Sequence, residues 1–329
     1  MNKTRLLFFV LFLAIIFLPF QNVVGQRKIE KIGRGLIVLN KGNGQAYIGW
    51  RLLGDDPSDI SFNVYRSTNG GNPVKIAGPL VSTTDYTDAS VSLTLSNGYF
   101  VKPVVNGVEK DASNKFTLPA NAPAKRYIGF KQQPDPDGKN YALHYVFTGD
   151  VDGDGEYEYV CKRSSGTTNA TVINKIDCYK IDGTLLWRLD LGPNFIFTAN
   201  GSGTLAMDDF DGDGKAEIAL RTFEGTCFRY GSTDSTRIGD TDGDGKTNYR
   251  RTDGFVNNGP EFLSVINGAT GREMSRVPFE PSTGGDAWAK YGPNERPYYI
   301  YMSVAYLDGV LPSVVIVRGA GVVKFYPAR

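Results

Sequence analysis

Short apolar runs at strand-like spacing recur along the chain, each closed by Gly, Asn, Asp or Ser. Ala46-Tyr-Ile-Gly-Trp50, Ile60-Ser-Phe-Asn-Val-Tyr65 and Tyr99-Phe-Val-Lys-Pro-Val-Val105 alternate or cluster apolar side chains within residues 27–121. Alternating runs bounded by turn formers predict strands, and several at regular intervals predict two packed antiparallel sheets. Leu118-Pro-Ala-Asn-Ala-Pro-Ala124 is poor in strand formers and marks a domain boundary. Beyond it, residues 122–329 repeat one unit: Glu158-Tyr-Val-Cys-Lys162 aligns with Glu217-Ile-Ala-Leu-Arg221, and Tyr306-Leu-Asp308 to Ser313-Val-Val-Ile-Val-Arg318 is a third, degraded copy. Ile176 to Trp187 and Glu261 to Gly271 read as hairpins turning at Asp182-Gly183 and Asn267-Gly268. Strand-rich units repeating about every 50 to 60 residues predict the blades of a β-propeller. The predicted fold class is therefore all-β, an N-terminal sandwich followed by a partial β-propeller. Propellers close with about four to eight blades, so three or four units predict either an exposed edge on the last blade or the front part of a larger protein.

Residues 1–25 follow a different pattern. Lys3 and Arg5 precede an apolar run from Leu6 to Phe20, and Val23-Val-Gly25 offers small-residue cleavage spacing before Gln26. The run is shorter than the roughly 20 residues needed to cross a bilayer, so a cleaved signal peptide is expected, with no membrane span afterwards. The expected location is secreted or periplasmic, in a bacterium.

Three acidic loops interrupt the strand pattern: Asp150-Val-Asp152-Gly-Asp154-Gly-Glu156-Tyr-Glu158, Asp209-Phe-Asp211-Gly-Asp213-Gly-Lys215-Ala-Glu217 and Asp240-Thr-Asp242-Gly-Asp244-Gly-Lys246-Thr-Asn248. Carboxylates at positions 1, 3 and 5 converge on one point only if the backbone turns sharply, which Gly at position 6 permits. Crowded hard oxygens suit Ca2+, which takes about six to eight at roughly 2.3–2.6 Å. These are not EF-hands, because position 12 is Cys161, Leu220 or Arg251 rather than a bidentate Glu. The closing acid is expected at position 9, as Glu158 and Glu217. Asn248 is a weaker neutral version, and the carbonyls of Glu156, Lys215 and Lys246 complete each shell. The third loop lacks a following strand and reads as an insertion within a blade.

Net charge is +1, which gives no global electrostatic case for nucleic acid or an anionic membrane. The 18 Tyr, 19 Phe and 39 Gly suit short strands and tight turns rather than helices. Cys161, Cys178 and Cys227 have no zinc or redox spacing, and the one disulfide they leave open gets no support from their odd count. His144 is the sole histidine, which removes His-based metal sites and makes a Ser-His-Asp triad improbable.

Trp50, Phe62-Asn-Val-Tyr65-Arg, Asp85-Tyr-Thr-Asp88 and Tyr99 together resemble a fibronectin type III domain. Over Lys31 to Arg318 the order of parts resembles the secreted rhamnogalacturonan lyases built on an eight-bladed calcium-loaded propeller. The matching stretches include Arg34-Gly-Leu-Ile-Val, Trp50-Arg-Leu-Leu-Gly, Gly149 to Glu158, Tyr179 to Arg188, Asp211 to Glu217, Gly259-Pro-Glu-Phe-Leu263 and Ala305-Tyr-Leu-Asp-Gly309. The resemblance implies Ca2+ as cofactor and rhamnogalacturonan, an acidic plant cell-wall polysaccharide, as partner, cleaved by β-elimination by a monomer.

Three departures bear on activity. His144-Tyr145 stands where that family tends to carry Asn-Asp, Arg163-Ser164 where it tends to carry Trp-Asp, and Phe195 to Gly203 lacks its His-containing run. With the propeller incomplete as well, low or no activity is expected of this chain alone. The alternative is a non-catalytic carbohydrate-binding or adhesive protein stiffened by calcium. Candidate substrate-binding groups are Lys162, Arg163, Arg221, Arg318 and His144. Lys162, Arg221 and Arg318 each lie ten residues after a loop Asp (Asp152, Asp211, Asp308), which predicts either one cationic ring or three bases each paired with a nearby acidic loop.

Overall fold

The computed structural model describes residues 27–166, 171–196, 205–256, 258–280, 300–318 and 322–327, and the predicted signal segment lies outside them. Every regular element among them is a strand, so the chain is all-β. Among the described residues no helix is long and apolar enough to cross a membrane.

The N-terminal strands are β1 (Ile37–Gly42), β2 (Gln45–Gly49), β3 (Ser61–Thr68), β4 (Val74–Val81), β5 (Asp85–Asp88), β6 (Asn97–Val105), β7 (Val108–Glu109) and β8 (Phe116–Leu118). They form two sheets, β1-β2-β5 and β4-β3-β6-β7, with β8 pairing β6. Val38, Ala46 and Ile48 of the first sheet and Phe62, Val64, Tyr99 and Val101 of the second fill one core. Strand alternation brings these residues to one face. Trp50 closes the core edge-on to Phe62, with ring centroids 5.4 Å apart. The buried Tyr99 hydroxyl donates to Asp88 at 3.0 Å, so its polar tip is satisfied.

Next come β9 (Ala142–Gly149), β10 (Glu158–Ser165), β11 (Ile173–Tyr179), β12 (Leu185–Asp190), β13 (Leu205–Asp208), β14 (Glu217–Phe223), β15 (Cys227–Phe228) and β16 (Thr236–Arg237). The last five are β17 (Glu261–Ile266), β18 (Glu273–Pro278), β19 (Ile300–Ala305), β20 (Ser313–Arg318) and β21 (Val322–Pro327). Both expected hairpins form, as β11–β12 and β17–β18. Three antiparallel sheets follow one another: β9 to β12, then β13-β14-β17-β18, then β19-β20-β21. The insertion after β14 does not stay with its own sheet. Its strands β15 and β16 extend the edge of the preceding one, where Cys227 pairs Asp190.

Consecutive sheets share cores. Val160, Ile176 and Leu189 pack with Ile218, Leu220 and Ile266, while Ala219 and Leu263 pack with Val314 and Ile316. Trp187 crosses the first seam, its indole N–H donating to the Gly268 carbonyl at 2.6 Å. Cys161, Cys178 and Cys227 are buried and free.

One face of the first sheet buries a charge cluster. Arg163 pairs with Asp135 at 2.7 Å and Asp177 at 2.8 Å, and Lys175 pairs with Asp135 at 2.6 Å and Asp137 at 2.9 Å. Arg188 grips both oxygens of Asp177, at 2.8 and 2.9 Å. The segment before β9 is pinned to the sheet by these contacts. Removing one member leaves a buried charge unanswered, which costs about 3–5 kcal/mol. Asp177→Ala should therefore lower unfolding free energy in urea by about that amount. Breaking the exposed Arg251–Asp253 pair should leave the midpoint nearly unchanged.

Candidate functional site

The three acidic loops fold alike. Asp150 accepts the Gly153 and Gly155 amides at 2.7 and 2.9 Å, one on each carboxylate oxygen. Asp209 takes Gly212 and Gly214 at 2.7 and 2.9 Å, and Asp240 takes Gly243 and Gly245 at 2.7 and 2.8 Å. The third-position residues Asp152, Asp211 and Asp242 accept the amides of Asp154, Asp213 and Asp244, and these in turn accept the amides of Glu156, Lys215 and Lys246. Both glycines of the first loop are left-handed, with φ of 81° at Gly153 and 85° at Gly155, so position 4 matters as much as position 6.

The turn gathers negative charge. Asp150, Asp152 and Glu158 bring oxygens within 4.8 Å of one another, as do Asp209, Asp211 and Glu217. Burial pushes the Glu158 carboxyl up to about 7, with Asp152 and Asp154 adding to the shift. Burial and then Asp211 push Glu217 to about 8. Closely held carboxylates out of water favour a bound cation, and an all-oxygen donor set fits Ca2+. When bound, such an ion would neutralise the loop and stiffen it. Lys180 answers part of the first loop from outside, 2.5 Å from Asp152 and 2.9 Å from Asp154.

The third loop closes differently from the sequence expectation. Asn248 accepts the Arg250 amide at 3.0 Å, and the acid grouped with Asp240 and Asp242 is Glu224. Glu224 accepts the Thr241 amide, the service that Glu158 gives Val151 and Glu217 gives Phe210. An acid from the end of β14 thus joins Asp240 and Asp242. No spacing within the loop signals it; only the tertiary fold brings it there.

A backbone strap ties the first two loops to the N-terminal domain. Gly33 N–H donates to the Gly155 carbonyl at 2.6 Å, and Lys31 N–H to that of Gly214 at 3.4 Å. A Cβ at Gly33 would lie 2.9 Å from the Gly155 oxygen, so only glycine allows this approach. Glu30 accepts the Asp150 amide at 3.2 Å.

Of the candidate cations, Lys162, Arg221 and Arg318 face one aromatic row. Lys162 Nζ lies 5.3 Å from the Phe195 ring, and Phe195 meets Phe223 edge-on at 6.1 Å. Arg221 lies 4.7 Å from Phe223 and 5.6 Å from Phe279, and Arg318 lies 5.6 Å from Phe279. Arg221 and Arg318 both pair with Glu261 of β17 rather than with a loop acid. Lys162 is fully buried, and its ammonium makes no hydrogen bond among the described residues. Burial lowers its pKa to about 8.

Arg163 does not join the row. Neighbours on a strand point to opposite faces, and Arg163 is committed to Asp135 and Asp177. His144 is the extra residue of a bulge in β9, since Lys162 pairs Tyr145 and Arg163 pairs Leu143. Its Nε2 lies 2.5 Å from Ser164 Oγ, and burial together with Lys162 lowers its pKa. Part of Phe195 to Gly203 lies outside the described residues.

The profile of the rhamnogalacturonan lyase family 11 C-terminal domain matches residues 120–325, and that of the rhamnogalacturonan I lyase β-sheet domain matches residues 27–118. The chain belongs to rhamnogalacturonan lyase family 11. It is 36% identical over 305 residues to the rhamnogalacturonan endolyase YesW of Bacillus subtilis, covering 89% of this chain and 46% of that protein. It is 35% identical over 307 residues to the exolyase YesX of the same organism, covering 89% of this chain and 47% of that one. The solved Bacillus licheniformis rhamnogalacturonan lyase superposes with a TM-score of 0.75 at 36% identity, over 93% of this chain and 52% of that one. This lyase family member thus spans about half the length of the curated relatives it matches.

Two outcomes are expected of the site. Chelation of divalent cations should lower the melting temperature and speed hydrogen exchange at the Gly33 amide, because a ligand bound only by the folded loops stabilises them. Unchanged melting and exchange would speak against loaded loops. For Lys162, a pKa lowered from 10.5 to about 8 means that the unfolded chain binds more protons between those values, so stability rises with pH there. Lys162→Met should exceed the wild type in stability by on the order of 3 kcal/mol near pH 7. That gap should close as the pH approaches about 10.5, read from urea midpoints across the window.

Proposed function

We propose that this chain is an exported, calcium-carrying, monomeric lyase-type protein that acts on rhamnogalacturonan by β-elimination. In this reading the N-terminal sheets form a fibronectin type III-like sandwich over residues 27–121, and residues 122–329 contribute part of a β-propeller. The observation that carries it is the likeness to rhamnogalacturonan lyases along nearly the whole described chain, at 36% identity to YesW. Export rests on the signal pattern of residues 1–25.

The chemistry asks for positive charge. The proton beside an ionised uronate carboxylate is very weakly acidic, and it becomes removable when cations neutralise that carboxylate. The row of Lys162, Arg221 and Arg318 is the proposed counter-charge, with arginine able to bind a carboxylate through two parallel hydrogen bonds. Arg221 and Arg318 already share Glu261, so an entering uronate competes with that acid. Low or no activity by this chain alone is expected from the incomplete propeller and from the departures at His144-Tyr145 and Arg163-Ser164.

The test is an ultraviolet assay for unsaturated uronate products with rhamnogalacturonan as substrate, in calcium. Slow product formation that vanishes when Lys162, Arg221 and Arg318 are all replaced by Ala, with metal content kept, is the expected result. Retained binding of acidic fragments with no unsaturated product at any enzyme concentration would favour the non-catalytic carbohydrate-binding reading.

A further inference from the structure

A cleft of about 190 Å3 opens at the seam between the N-terminal sheets and the first acidic loop. Arg51, Asn114 and Lys115 line one wall, and Glu156, Tyr157 and Tyr159 line the other. The cleft is remote in orientation from the cation row, because Tyr159 and Lys162 point to opposite faces of β10.

Arg51 is held flat. On one side it lies against Gly35, where a Cβ would fall 2.1 Å from Nη2. On the other its guanidinium stands 4.5 Å from the Tyr157 ring centroid. It forms a salt bridge with Glu156 at 3.8 Å but no side-chain hydrogen bond among the described residues, and Glu156 is also contacted by the Asn114 amide at 3.4 Å. Lys115 lays the end of its side chain, Cε and Nζ, over Gly98, and its ammonium has no ion pair among the described residues. A planar fork with unused donors, fixed by stacking, is pre-organised for a carboxylate. The aromatic walls beside it offer a face for the C–H side of a sugar ring.

We propose that this seam binds one uronate unit of an acidic polysaccharide, carboxylate on Arg51 and Lys115, ring against Tyr157 and Tyr159. The volume is below the roughly 300 Å3 of a drug-sized pocket, so it holds a single ring while the open sides let a chain run on. The seam would tether substrate away from the cation row. The choice of a uronate as occupant rests on the lyase reading above, whereas the preference for an anion that competes with Glu156 rests on the open hydrogen-bond donors of Arg51 and on Lys115.

The test uses the full chain in calcium, titrated with D-galacturonate and, separately, with galactose, and followed by amide NMR shifts. Galacturonate has no glycosidic bond to cleave, so its binding is read apart from any lyase activity. Saturable shifts at Asn114, Lys115 and Tyr157 with galacturonate and none with galactose are expected. Arg51→Ala should abolish them, Lys115→Ala should weaken binding severalfold, and Arg51→Lys, which cannot form the planar fork, should weaken it about tenfold. Because Arg51→Ala also removes a contact between domains, Lys115→Ala and Arg51→Lys carry the test if its melting temperature falls. Equal shifts with both sugars, shifts elsewhere only, or binding unchanged in Lys115→Ala and Arg51→Lys would overturn the proposal. Unsaturated products with no seam binding would leave the lyase reading standing and this one rejected.

Discussion

A carboxylate taken out of water needs a cation or several N–H donors close by, or it gives up its charge. This chain buries carboxylates repeatedly and answers each differently. Asp135 and Asp177 are met by Arg163, Lys175 and Arg188, a closed set that anchors the segment before β9. Glu261 is met by two arginines from neighbouring sheets, which joins β14, β17 and β20. Among the described residues, Glu158 and Glu217 have only amides and more carboxylates around them, apart from Lys180 at the outer edge of the first loop. Those two loops are where the fold asks for an ion from outside.

The loops in turn place the rest. Their last residues begin β10 and β14, the strands that carry Lys162 and Arg221 inward. Their carbonyls, at Gly155 and Gly214, receive the strap that seats the N-terminal domain. A charge requirement in a nine-residue turn therefore reaches both the domain seam and the cation row.

The local part of this was legible in the sequence. Asp-x-Asp-Gly-Asp-Gly states its own turn, because its glycines and side-chain acceptors act within a few residues. The hairpins at Asp182-Gly183 and Asn267-Gly268 were equally local. What escaped was set by distance in sequence or by strand geometry. Glu224 reaches the third loop from the end of β14, a placement no motif spacing encodes. β15 returns to the edge of the preceding sheet through Cys227 and Asp190, against the simple order of repeats. Arg163 was grouped with Lys162 although adjacent strand residues face opposite ways, and the structure commits it to the buried cluster.

Both the domain seam and the cation row depend on acidic loops that fold around divalent cations. Anomalous scattering from calcium, measured on crystals grown in calcium, tests for those cations directly. Peaks are expected among Asp150, Asp152 and Glu158, among Asp209, Asp211 and Glu217, and in the third loop with Glu224 rather than Asn248 as the closing ligand. Ordered loops with no anomalous peak at either of the first two sites would contradict cation binding there.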